Sequence, residues 1–200
     1  MTDTDSESQR RLAERRGLEP HVYQPAEDSG LLAQTAIDSL AEPEVVLEVG
    51  TGSGWVAEQV ADHTNARVIG SDLNPHATQQ ASQRGVEAVR ADLLAPFADG
   101  VFDAVLFNPP YLPTDPENEW DDWMEHALSG GEDGRRLIIP FINDVGRVLA
   151  PGGEVYLLVS SLTGYDIVVE LAENAGFEVT ELAQESYPFE VLSILQLRVE

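Results

Sequence analysis

The sequence has no cysteine and no lysine; all 11 basic residues are arginine. Without cysteine the chain forms no disulfide and offers no thiolate to a metal. Its four histidines, His21, His63, His76 and His126, show no ligand spacing, and no metal site is expected. No stretch approaches the roughly 20 apolar residues of a membrane-spanning helix. The opening residues, rich in Asp, Ser and Arg, lack the apolar segment of a signal peptide. The expectation is a cytoplasmic protein with no membrane contact.

What is abundant is acid. Asp and Glu number 36, and the formal net charge is -25. These acids are spread along the whole chain, so a disordered tail does not account for them. A folded surface of this kind repels itself at low salt, and concentrated salt shortens the Debye length enough to screen it. Acid throughout, with lysine absent, points to a high-salt cytoplasm. In that setting negative charge says little about partners.

Two hundred residues suit one α/β domain. Residues 1–20 read as a polar arm in which Arg10, Arg11, Arg15 and Arg16 alternate with Glu14 and Glu19. Residues 21–200 read as the domain. A helix starts near Pro25 and carries the apolar spacing of Leu31–Ile37. Strands are expected over 45–49, 67–71, 86–90, 102–107, 154–160, 177–182 and 191–199. Helices are expected over 56–61, from Pro75, over 135–149 and over 165–174, and none separates the last two strands. The fold class that follows is α/β: a doubly wound, seven-stranded, Rossmann-like sheet, mostly parallel, with one antiparallel strand near the C-terminus.

Glu48-Val49-Gly50-Thr51-Gly52-Ser53-Gly54 joins the first strand to its helix, where glycines allow close approach of a ligand. A dinucleotide fingerprint would place its third glycine at position 55, which is Trp55. The loop suits instead a ligand without pyrophosphate, bearing a ribose and a charged amino acid portion; S-adenosylmethionine meets that description. Asp72 closes the second strand, where a carboxylate takes ribose hydroxyls, and Asp92 follows the third, placed for an adenine amine with Leu93 beside the ring. Each acid alone reads equally well as a solvated strand end; three at successive strand ends do not.

The fourth strand delivers Asn108-Pro109-Pro110-Tyr111. The Asn108 side-chain carbonyl and the Pro109 backbone carbonyl each accept one N–H of a planar nitrogen, proline fixes the turn, and Tyr111 offers a flat wall. Such a clamp works by positioning, worth up to ~7–11 kcal/mol. It serves a side-chain amide or the exocyclic amine of a base.

Together these motifs resemble the class I methyltransferases, and within them the HemK-like glutamine methyltransferases of release factors, archaeal–eukaryotic branch. The resemblance rests on Val22–Ser29, Leu47–Gly54, Asp72–Pro75, Asp92-Leu93, Phe107–Tyr111 and Gly130–Arg135. With the acidic composition it suggests a halophilic archaeon. It implies that Ser29, Glu48, Gly50, Gly52, Asp72, Asp92, Leu93 and Asn108 hold S-adenosylmethionine. It implies that Asn108, Pro109, Pro110 and Tyr111 hold the glutamine of a Gly-Gly-Gln motif, with Asn108, Pro109 and Tyr111 catalytic. It also implies that the Pro-Ala-Glu-Asp segment before Ser29 folds over the cofactor. Leu128 departs from the family, standing where relatives often carry Trp. Eukaryotic relatives pair with a small zinc-binding activator beside the third strand, which points to Val86–Val89 here.

Two other functions compete. One is a nucleic-acid methyltransferase acting on adenine or guanine amines; the absence of an appended base-reading domain argues against it. The other is a catalytically silent scaffold for the small partner, against which the intact Glu48, Asp72, Asp92 and Asn108 speak. The loop from Leu112 to Gly134, with Trp120, Trp123 and Met124 amid acids, reads as a substrate or partner surface.

Overall fold

A computed structural model describes residues 21–114 and 123–199. The polar arm over 1–20 and Trp120 lie outside the described residues. Helix α1 spans Glu27–Ser39, with Glu27 and Asp28 in its first turn, where acids favour the positive end of the helix dipole. Then follow β1 (Val45–Val49), α2 (Trp55–His63), β2 (Arg67–Asp72), α3 (Pro75–Gln83), β3 (Glu87–Arg90) and β4 (Phe102–Phe107). The short α4 (Trp123–Leu128), α5 (Ile138–Val148), β5 (Leu149–Ser160), a single 3-10 turn (Ser161–Thr163), α6 (Tyr165–Asn174), β6 (Phe177–Ser186) and β7 (Val191–Val199) complete the order.

The seven strands form one sheet in the order β3-β2-β1-β4-β5-β7-β6. Strands β1 to β5 pair in parallel, and β7 lies antiparallel between β5 and β6. The antiparallel strand expected near the C-terminus is therefore β7, and β3 is a sheet edge.

Alternation along the strands divides the core into two layers. Leu47, Val105, Phe107, Val155 and Leu157 face α5 and α6 and pack with Ile138, Phe141 and Val168. Val46, Ala104, Leu106, Tyr156 and Leu158 face α1 and α2 and pack with Leu32, Val56 and Val60.

Three element boundaries differ from the sequence reading by three residues or more. The helix expected over 135–149 begins at Ile138. Arg135 belongs to the turn before it: its N–H donates to Asp133 Oδ1 and its guanidinium to the Thr163 carbonyl. Starting at Ile138 puts Pro140 in the first turn, where its missing N–H costs nothing. Strand β5 begins at Leu149 and runs through Pro151-Gly152-Gly153, the register shift being taken up opposite Phe102 and Ala104. Strand β6 continues to Ser186, past a bulge between Glu181 and Ala183, because β7 supplies a pairing partner over its whole length.

Candidate active site

The carboxyl ends of β1 to β4 meet at a cavity of about 420 Å³, within the range of small-ligand sites. All eleven candidate residues line it: Ser29, Glu48, Gly50, Gly52, Asp72, Asp92, Leu93, Asn108, Pro109, Pro110 and Tyr111.

The glycine loop is tied from both sides. Thr51 N–H donates to the Ser71 carbonyl at 2.8 Å, and Gly52 N–H to Asp72 Oδ2 at 2.9 Å. Gly54, at φ +82°, caps α2, and a Cβ there would lie 2.7 Å from Ala81 of α3. Only glycine permits that approach, so the close packing a dinucleotide fingerprint assigns to its third glycine falls one residue earlier. Trp55 is then free to be large.

Glu48 is buried on the α1–α2 face of β1. Its Oε2 accepts the Thr51 hydroxyl at 2.5 Å and Ala57 N–H at 2.9 Å, joining strand, loop and helix. Burial outweighs these bonds and pushes the carboxyl up to about 8. Asp72 accepts Asn74 N–H at 2.8 Å as well as Gly52 N–H, and burial raises its pKa too. Asp92 is exposed at the cavity rim, and Leu93 beside it holds φ +45°, a strained conformation for a bulky residue.

At the end of β4, Pro109 is buried and Tyr111 is half-buried. Burial, helped by the charge of Asp28, pushes the Tyr111 hydroxyl well above the ordinary phenol range, so the ring is a neutral wall and not a base. The backbone after Tyr111 is clamped by the Gly130–Gly134 turn. Leu112 N–H donates to Leu128 O at 3.1 Å, and Gly130 N–H to Leu112 O at 2.8 Å. A Cβ on Gly134, which has φ +75°, would stand 2.5 Å from the Tyr111 carbonyl. The glycines singled out in the sequence therefore brace the clamp from behind. Leu128 lines the cavity, as does Trp123 of α4.

Two residues that sequence reasoning did not single out, Asp28 and Tyr23, complete the site. Asp28, 5% exposed, accepts Asn108 Nδ2–H at 3.0 Å and the Tyr23 hydroxyl at 2.9 Å, both on Oδ2. Its Oδ1 accepts Ser29 N–H at 2.6 Å and the Ser29 hydroxyl at 3.2 Å. Asn108 Oδ1 is buried and has no hydrogen-bond partner among the described residues. An orphaned buried acceptor costs about 1–3 kcal/mol and marks where a ligand N–H belongs. In the sequence Asp28 belongs to the Pro-Ala-Glu-Asp segment expected over the cofactor, but nothing local marks its pairing with Asn108, which is 80 residues away.

The residues present fit S-adenosylmethionine: acids stand at the carboxyl ends of three successive strands, a glycine loop opens a helix, and the orphaned carbonyl faces no donor among the described residues. Fold and site define a class I methyltransferase. A family model described as a methyltransferase domain matches residues 46–130. The chain is 36% identical over 184 residues to a putative protein N5-glutamine methyltransferase of Methanocaldococcus jannaschii, covering 89% of this chain and 92% of that one. It is 31% identical over 195 residues to the human methyltransferase HEMK2, covering 90% and 91%. Among solved structures, the E. cuniculi Mtq2–Trm112 complex, responsible for methylation of the eRF1 translation termination factor, superposes with a TM-score of 0.76. There the identity is 29%, over 90% of this chain and 99% of that one. The chain belongs to the HemK-like S-adenosylmethionine-dependent methyltransferases and is homologous to the archaeal and eukaryotic protein N5-glutamine methyltransferases.

Proposed function

We propose that this enzyme methylates the side-chain amide nitrogen of the glutamine in the Gly-Gly-Gln motif of a class 1 release factor. The observation that carries the proposal is the Asn108 amide, fixed with its NH2 on Asp28 and its carbonyl unpartnered among the described residues. A glutamine amide has two N–H bonds. The Asn108 and Pro109 carbonyls accept one each, which holds the nitrogen and turns its lone pair away from both acceptors. When bound, S-adenosylmethionine supplies an electrophilic methyl group on a positively charged sulfur. Glu48, Gly50, Gly52, Asp72, Asp92 and Leu93 hold it, with Ser29 at the edge of the helix α1 turn. Tyr111 flanks the planar amide. The nitrogen becomes acidic only as the new C–N bond forms, so its proton passes to water and no strong base is needed.

The names of the relatives support the substrate: one is a protein N5-glutamine methyltransferase and another belongs to a complex that methylates a termination factor. The same complex supports a partner. On our reading a small zinc-binding activator adds a strand to β3, whose Glu87, Val89 and Arg90 are exposed. Among the described residues no helix is long and apolar enough to cross a membrane, and a release factor as substrate supports a cytoplasmic enzyme.

The test is transfer of labelled methyl from S-adenosylmethionine to the cognate release factor, with the activator present. Label on the Gly-Gly-Gln glutamine, lost when that residue is replaced, is expected. Label on DNA with none on the factor overturns the proposal in favour of base methylation. No cofactor binding at all, by calorimetry, favours a scaffold.

A further inference from the structure

We infer that Asp28 is a positioning residue for methyl transfer: it dictates which way the Asn108 amide faces. The inference rests on the reading of Asn108 as an amide clamp. An Asn side chain can be turned over at almost no cost in shape, exchanging its carbonyl and its NH2. The clamp works in only one of the two states, because the substrate nitrogen brings donors and needs acceptors. A carboxylate has no donor to offer. With Oδ2 of Asp28 3.0 Å from Asn108 Nδ2, the reverse state would set two buried acceptors against each other. The carboxylate therefore keeps the Asn108 carbonyl free, as its lack of a partner among the described residues records.

Asp28 is itself fixed. Its Oδ1 accepts Ser29 N–H at 2.6 Å and the Ser29 hydroxyl at 3.2 Å, and its Oδ2 takes the Tyr23 hydroxyl at 2.9 Å as well as Asn108. The segment that carries it is tethered by Asn74 Nδ2, which donates to the His21 carbonyl at 2.6 Å. The Pro-Ala-Glu-Asp segment thus acts on the substrate side of the site through Asp28.

The bond to Ser29 N–H makes a sharp test possible. In Asp28→Asn the new amide must leave its oxygen on Ser29 N–H, so its NH2 takes the place of Oδ2 and faces Asn108. That NH2 turns Asn108 over and presents a donor to the substrate. The clamp is inverted with hardly any change in volume. In the complex with activator, D28N is expected to lower kcat by on the order of 100-fold, the scale for one misplaced electrostatic group in a reacting site. KM for the release factor and calorimetric affinity for S-adenosylmethionine are expected to stay within about threefold, less than the tenfold that 1.4 kcal/mol represents. The Asn108 side-chain NH2 signals in a 15N-resolved NMR spectrum should shift in D28N with or without substrate. The double variant D28N/N108D restores the pairing, since the amide introduced at position 28 then donates to a carboxylate whose second oxygen is an acceptor. At least a tenfold recovery of kcat over D28N is expected, the equivalent of about 1.4 kcal/mol.

Unchanged kcat in D28N, or unmoved Asn108 signals, overturns the inference. So does a parallel loss of thermal stability, cofactor affinity and kcat without recovery in the double variant, which would make Asp28 a fold element. If the wild type does not label the release factor at all, the substrate proposal fails instead, and the NMR comparison still decides the role of Asp28.

Discussion

Burying Glu48 leaves a pH signature. Its carboxyl is pushed from the ordinary 4.5 up to about 8, chiefly by loss of water, although Thr51 and Ala57 both bond to it. In the unfolded chain the group ionises near its ordinary value. Below pH 4.5 both states hold the proton, and the stability is fully present. Between 4.5 and 8 the unfolded chain gives up the proton while the folded one keeps it, so stability falls as pH rises. Above 8 the difference is constant. At about 1.36 kcal/mol per pKa unit, the loss across the window amounts to about 5 kcal/mol. Glu48→Gln keeps the shape and an acceptor for Thr51 and Ala57 but removes the titration. Urea unfolding of both proteins, followed by tryptophan fluorescence at fixed ionic strength, isolates the effect as a difference. Relative to Glu48→Gln, the wild type should lose stability steadily from pH 4.5 to 8 and level off beyond. Curves that run parallel across this window refute the reasoning. A second consequence follows for binding. A cationic ligand beside Glu48 favours the ionised carboxylate, so S-adenosylmethionine binding at about pH 7 should release a proton. Calorimetric heats should then depend on the ionisation enthalpy of the buffer, and not do so in Glu48→Gln.

Other expected outcomes concern the clamp and the edge. Asn108→Ala should leave cofactor affinity nearly intact in calorimetry while transfer falls by at least about 100-fold; equal loss of both would make Asn108 structural. Gly134→Ala forces a left-handed backbone on alanine and a Cβ against the Tyr111 carbonyl. It should cost about 1–3 kcal/mol and lower the melting temperature by several degrees, with kcat reduced more than cofactor affinity. Val89→Arg alters a side chain 36% exposed on β3; co-purification with the activator should weaken while the melting temperature of the lone chain holds.

Much of this architecture was legible because its signals are local. Most of the parallel strands carry a short apolar run with Gly, Pro or Asp close by, and each acid of the candidate cofactor site lies within two residues of a strand's carboxyl end, where position alone suggests a ligand. The β3 edge came instead from the family resemblance, and the strand order of the structure agrees with it. The misread boundaries are those where a distant partner decides. The turn at Arg135 depends on the Thr163 carbonyl, and the extension of β6 depends on β7. The role of Asp28 was hidden for the same reason: the sequence marks its segment as a cover for the cofactor, and its own meaning comes from Asn108. The brace formed by Gly134 was equally hidden, since a glycine's role there is set by the distant carbonyl of Tyr111.

The position of β7 has a consequence for the order in which the sheet assembles. It follows every other strand in the chain, yet it lies between β5 and β6. Until it emerges from the ribosome, β6 has no neighbour and the open flank of β5 exposes the backbone beside Val155, Leu157 and Val159, residues buried in the finished protein. A nascent chain is therefore most exposed to aggregation in the interval before β7 is free to pair. Because β6 pairs only with β7, a stop codon that removed β7 would take two strands out of the sheet.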